Sequence, residues 1–534
     1  MRKLIAATAV PCLATLALAT PAVARDWFVA ETNNFIVKSE DDEEGTREFA
    51  MELERFDMAL RTLQSLPIGE EQPTRATKLT VYRFGDIGDI GRMAGSNGVA
   101  GFYIPRAGDS VAFTPAREER RRSMSVTDPD RRRRDIQRLD AVSVLQHEYV
   151  HYFMMQHFPA AYPAWYVEGY AELLATMRFN DDGSFHVGDP PQYRAYQIFQ
   201  MRQFPLEDML DAKHELGRRE AYQFYGTGWL LAHYLNFNKQ AELNEYLTAI
   251  GQGEDSLEAA RRIFGDLDAI DRELLSYRSG SFPGYDVRPQ NYVEPQVTLR
   301  ATSDIEEDLI DYEMRLRRGV GEDEAKSIAS SISSAIGGSS SDLYALGLLA
   351  RAQMAADDYD AAEVTARRML ELDPDSIEGN LALSYVAIER IEDDPNWADT
   401  AREAALAAAS LDLADPRARI AYYYSYLEER VEPPENAIIA LEGAYDHAGS
   451  DPAYRIFLAR QLIAENRLDT AETVLMPIAF RGHNQGDDEE EEDEDNNDPP
   501  SLLDILDAIK ADDRDTALAQ MDELIHWEEE DEDA

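Results

Sequence analysis

Between residues 135 and 177 an apolar helical period runs twice, through "DIQRLDAVSVLQHEYVHYFMMQHF" (135–158) and "AWYVEGYAELLATM" (164–177), with Pro159 and Pro163 between the two segments. Proline removes a backbone donor and fixes φ, so the first helix has to stop at that joint. Two helices on so short a joint fold back antiparallel. His147 and His151, two of the nine histidines of the chain, lie four positions apart on the first helix. Four residues turn a helix through about 400°, so both imidazoles point the same way and can share one metal ion. Glu148, directly after the first, is placed to take a proton from water held at such an ion. A closed protein site needs a third ligand.

The rest of the chain divides by texture. At 534 residues it is long enough for two or three domains. The opening "MRKLIAATAVPCLATLALATPAVA" reads as a secretory signal peptide over 1–24, with cleavage before Arg25. Cys12, the single cysteine, lies inside it, and Pro11 before it does not suit lipoprotein processing. The expected mature chain therefore has no thiol or disulfide chemistry and is exported, to the periplasm or beyond. No later stretch offers the roughly 18–20 apolar residues of a membrane span. The 52 Lys and Arg against 103 Asp and Glu leave a net charge of −51, which excludes nucleic acid and anionic lipid as partners.

"FIVKS" near residue 35 and "KLTVYRF" (78–84) read as strands, separated by a helix over about 44–66 with one buried stripe, Phe49, Leu53, Phe56, Leu60 and Leu63. "GVAGFYIP" and "SVAFTP" flank the turn-rich "RAGD", which predicts a hairpin over 98–115. The arginine-rich stretch 117–135 reads as an exposed loop, and helices follow to about 278, including "AYQFYGTGWLLAHYLNF" (221–237). Residues 291–340 read as a linker ending in "GGSSSD". Alanine-rich helix pairs then occupy 341–480. Small residues (Ala350, Ala362, Ala366) stand where helices touch and Pro374, Pro416 and Pro452 close the units, a tetratricopeptide pattern of three to four repeats. An acidic loop (481–500), a last helix pair (501–527) and an acidic tail (528–534) complete the chain.

Two further motifs extend the histidine pair. "WYVEGYAE" resembles the "EGxAE" setting of the gluzincins, the thermolysin-like and aminopeptidase N-like zinc metallopeptidases. That resemblance implies Glu168 as the third ligand to Zn²⁺ beside His147 and His151. It also implies Glu148 as general base and Glu172, one turn after Glu168, as the carboxylate that orients a histidine ligand. Gly169 and Ala171 are the small residues expected to let the two helices approach. His157 matches the third histidine of the metzincin pattern HExxHxxGxxH, but Met154 stands at the helix-breaking glycine. A continuous helix carries His157 about 120° around the axis from His151. "YGTG" (225–228) resembles the Tyr-x-x-Gly of aminopeptidase N-like enzymes, with Thr227 where the family has lysine. It implies Tyr225 as the donor to the oxyanion, with Tyr222 as the alternative; His233 reads as structural.

The Gly-x-Met-Glu-Asn segment that holds a free amine in those aminopeptidases has no counterpart upstream of His147, so an endopeptidase is the expectation. "SVAF" is the expected strand for aligning an extended peptide. Most of the mature chain is similar to bacterial exported proteins with a peptidase-MA-like domain followed by tetratricopeptide repeats. The expected fold class is α+β: a thermolysin/aminopeptidase-like domain over 25–290, small N-terminal sheet plus helical lobe, then an all-α solenoid. The expected function is zinc-dependent hydrolysis of a peptide or protein substrate, with a protein partner on the repeats. The alternative is an inactive peptidase-like scaffold. The arginine stretch and the acidic runs 487–495 and 528–533 read as solvated, or as an electrostatic lid that salt would weaken.

Overall fold

The computed structural model describes residues 27–69, 73–96, 99–117, 141–180, 182–211, 218–290, 292–338, 340–479 and 500–532. The signal-peptide segment, the arginine-rich stretch beyond Arg117 and the acidic run 487–495 lie outside the described residues, as do the side chains of the acidic tail.

Nine strands appear among the described residues: β1 (Phe28–Glu31), β2 (Phe35–Ser39), β3 (Leu79–Arg83), β4 (Phe102–Ile104), β5 (Val111–Thr114), β6 (Arg178–Phe179), β7 (Phe185–Val187), β8 (Tyr285–Val287) and β9 (Thr298–Ala301). Six of them form one sheet in the order β4–β5–β3–β2–β1–β9, and β6–β7–β8 form a second, small sheet. The centre of the large sheet, β2, β3 and β5, is parallel. Such strands are covered on both faces, which is why "FIVKS" is buried along its whole length rather than alternating. Helix Glu43–Leu63 covers one face with Phe49, Leu53, Phe56 and Leu60, and the Asp42 side chain caps it by accepting from the Gly45 amide. The molecule is thus mixed α+β, a modest sheet among many helices.

The hairpin over 98–115 forms, with Phe102 opposite Phe113 and Ile104 opposite Val111. Its outcome differs from the expectation for "SVAF". β5 bonds β3 on one side and β4 on the other, so its main-chain groups are already used, and β4 is the edge strand. Residues 291–340 are not a linker either. β9 pairs with β1, and helices Asp304–Arg318 and Glu322–Ile336 follow. Ile310 and Met314 pack with Trp27, Tyr82 and Phe113. Beside them Lys38 of β2 donates to Glu313 at 2.6 Å, with Tyr344 closing on the same carboxylate at 2.8 Å. A buried pair satisfied on all sides fixes this region to the sheet, whereas its surface composition reads as a spacer.

From 343 to 479 the chain is a run of helices, most of them packed on the next, with Leu343–Met354 also touching Ile377–Glu389 and the latter touching Pro416–Glu428. Ala350, Ala362 and Ala366 are fully buried at the crossings. Pro416 and Pro452 do not close units: each stands in the first turn of a helix, behind the caps Asp415 and Asp451, where a missing N–H costs nothing. Among the described residues no helix is long and apolar enough to cross a membrane.

Candidate metal centre

Helix Ala141–His157 carries both histidines, and it is buried on two faces. Opposite the histidines, Tyr149 and Phe153 enter the core. The Tyr149 ring lies 5.0 Å from Phe35, and its hydroxyl donates to Asp57 at 2.8 Å. Residues two apart on a helix lie on nearly opposite sides, so anchoring Tyr149 aims His147 and His151 away from the sheet. What they meet is helix Ala164–Leu174, which starts right after Pro163.

Glu168 of that second helix closes on the pair. The two Nε2 atoms are 3.0 Å apart, His147 Nε2 lies 3.2 Å from Glu168 Oε2, and His151 Nε2 lies 3.7 Å from Oε1. All three residues are buried, and their donor atoms fall within 4.8 Å of one another, so the group could hold a metal ion. A tetrahedral ion with bonds of about 2.0–2.1 Å needs ligand atoms roughly 3.3–3.4 Å apart, and the three separations bracket that value. Among the described residues it is the one such group. Burial opposes charging either imidazole. At His147 the Glu168 hydrogen bond and the charges of Glu172, Glu168 and Glu148 outweigh it and raise the pKa. At His151 burial prevails and the pKa falls. A metal ion at this group competes with protons for the imidazole nitrogens, which couples binding to pH.

Glu172 is fully buried one turn on, 3.8 Å from His147 Nδ1. Its oxygens are fixed by Tyr193, whose hydroxyl donates at 2.6 Å, and by Arg194, whose Nε donates at 2.7 Å. The Arg194 guanidinium also lies 4.7 Å from the centre of the Tyr225 ring. Neither Tyr193 nor Arg194 was legible in sequence: "PPQYRAYQIF" has no period or motif that marks them. Tyr225 sits two turns inside helix Arg218–Asn238, half-buried. Burial and the Glu168 charge push its hydroxyl pKa well up, against Arg194, so it stays protonated. The Glu148 carboxylate is half-buried and acts electrostatically on both histidines and on Tyr225.

Helix Ala141–His157 runs unbroken through Met154, and the His157 ring packs 4.6 Å from Phe153, outside the metal group. Tyr222 is 54% exposed. His233 is buried, hydrogen-bonded to Gly188 O and Tyr277, and burial lowers its pKa to about 4. Thr227 accepts from the Phe204 amide at 3.0 Å. Gly169 does not serve the approach of the histidine helix. It meets Gly228, where helix Ala164–Leu174 crosses helix Arg218–Asn238, and a Cβ on Gly169 would come 2.3 Å from the Gly228 carbonyl oxygen. Gly169→Ala is therefore expected to cost about 1–3 kcal/mol through forced separation of the two helices. A fall in thermal midpoint with weaker metal retention would show it, and an unchanged midpoint would refute it.

The chain matches no protein-family model and no curated protein sequence. Its functional reading rests on the geometry of these side chains.

Proposed function

We propose that the chain is a zinc-dependent peptidase acting on internal bonds of a peptide or protein. One observation carries the reading: the Nε2 atoms of His147 and His151 and the Glu168 carboxylate, from two successive helices, converge to ligand distances. Two imidazoles and a carboxylate in a tetrahedral spacing are a donor set suited to Zn²⁺, and three protein ligands leave one position for water or substrate. Zn²⁺ held there supplies Lewis acidity, acidifying water and polarising the scissile carbonyl.

The chain's own groups do the rest. Glu148 accepts the proton of the attacking water and delivers it to the leaving amide nitrogen as the C–N bond breaks. The Tyr225 hydroxyl, kept protonated, donates to the oxygen that gains charge in the tetrahedral adduct. Glu172, braced by Tyr193 and Arg194, fixes the His147 ring. β4 lies against the histidine helix, with the Tyr103 and Tyr152 rings 5.9 Å apart, and, as the last strand of the sheet among the described residues, it suits an extended peptide added by main-chain hydrogen bonds. The helix pairs after 343 are read as tetratricopeptide-like units that bind protein. We read the N-terminal segment as an export signal.

Tyr225→Phe tests the oxyanion role. It is expected to lower kcat by roughly 10²–10³-fold with Zn²⁺ content unchanged. An undiminished rate in a peptide-library assay would remove Tyr225 from the reaction.

A further inference from the structure

The histidine helix ends on a defect that its own backbone cannot repair. The carbonyl of Met155, one turn past His151, would normally accept from the amide four residues on, and that residue is Pro159, which has no N–H. The preceding carbonyl, Met154 O, is bonded by the Phe158 amide at 2.8 Å. Met155 O is served instead from the far half of the chain: Arg455 donates to it through Nη2 at 3.2 Å. Arg455 is completely buried. Its Nε donates to Gly449 O at 2.6 Å and its Nη1 to Val474 O at 3.0 Å, both within the helical array. A cation at a helix C-terminus also complements the helix dipole.

The same array holds the histidine helix and its neighbouring hairpin at further points. Gln156 donates to Asp446 O at 2.6 Å. At the hairpin turn the Ala107 amide donates to Asp451 at 2.7 Å, and partly buried Asp109 pairs with Arg351 at 2.8 Å. The array is therefore not a separate arm beside the candidate metal centre. It grips both elements that border the centre: the helix that supplies two ligands and the hairpin that supplies the edge strand.

We propose that the helical array is an intramolecular brace of the metal centre, and that Arg455 is its positioning residue, setting the C-terminal end of the His147/His151 helix through the Met155 carbonyl. The array's first partner is then the N-terminal half of the same chain, and ligand geometry depends on docking between segments 300 residues apart. The metal-retention part of the test rests on the function proposed above; the backbone part does not.

The test uses the full chain. Arg455→Met keeps length and bulk but removes every donor, Arg455→Lys restores charge and one donor group, and Gln156→Leu removes only an interface bond. Arg460→Met, which loses a bond to Asp522 within the array, is the control. Amide hydrogen exchange is followed in peptides covering 141–158 and the array, and Zn²⁺ retention is measured by chelator competition. Arg455→Met is expected to speed exchange at 150–158 by at least tenfold and to weaken Zn²⁺ retention by a similar factor. Arg455→Lys should recover part of both, Gln156→Leu should give a smaller change in the same peptides, and Arg460→Met should give none there. Wild-type exchange at 150–158 in Arg455→Met, with the array still protected, overturns the proposal. If Arg455→Met unfolds the array, Gln156→Leu decides, and unchanged exchange there overturns it. Absence of Zn²⁺ from the wild type would defeat the proposed function while leaving the exchange comparison to decide the brace.

Discussion

Glu148→Gln should leave a folded protein that retains Zn²⁺ and has lost peptide hydrolysis by on the order of 10³–10⁴-fold. Glutamine preserves the size and hydrogen-bonding shape of the side chain but cannot take a proton. Glu148 is half-buried and is not one of the three residues of the metal-binding group, so the substitution removes the proposed base and leaves the ligand set whole. Zn²⁺ content by elemental analysis and turnover on a peptide library, measured on the same preparation, check both halves. Hydrolysis surviving in the variant would take the base role from Glu148. A wild type that binds Zn²⁺ and cleaves nothing would instead support a scaffold.

The second large effect separates the two possible third ligands. Removing one of three protein ligands should reduce Zn²⁺ from about one ion per chain to near none in His151→Ala and in Glu168→Ala. His157→Ala should keep the ion, because that ring packs against Phe153 outside the group. The reverse pattern, metal lost with His157 and kept without Glu168, would overturn the assignment. Glu168→Ala also leaves two buried imidazoles facing each other at 3.0 Å without their carboxylate, so a modest loss of stability is expected beside the loss of metal.

Much of the candidate centre was legible because helices convert spacing into direction. His147 and His151 share a face by periodicity alone, and an unbroken run through Met154 was enough to turn His157 away. Glu168 was legible at one remove, through a resemblance and a joint short enough to reverse the chain. Glu172 followed from the same resemblance, yet what holds it did not. Tyr193 and Arg194 reach it from a separate short segment, and no local pattern records contacts between residues 21 and 22 positions apart.

The strands show the same division. Runs such as "FIVKS" and "KLTVYRF" announced themselves as strands, and "RAGD" announced a hairpin, because β-propensity and turn chemistry are local. Strand order is not local. That β5 is enclosed and β4 is the last strand among the described residues depends on which way the hairpin folds over the sheet, and that β9 stands at the far end of the order depends on a segment whose composition resembles a spacer. Gly169 was visible as a small residue, but its partner Gly228 was settled by where two helices cross.

The sequence by itself determined the locally patterned elements, the shared face of the two histidines, the acid beside them and the break at Pro159, since each follows from backbone geometry within a few residues. Only the tertiary structure decided that Glu168 lies within reach of both imidazoles, that Arg194 spans Glu172 and Tyr225, and that Arg455 serves the carbonyl Pro159 leaves bare. These contacts join residues far apart in the chain, and burial selects them: a carboxylate, a guanidinium or a carbonyl taken out of water must find a partner wherever packing brings one.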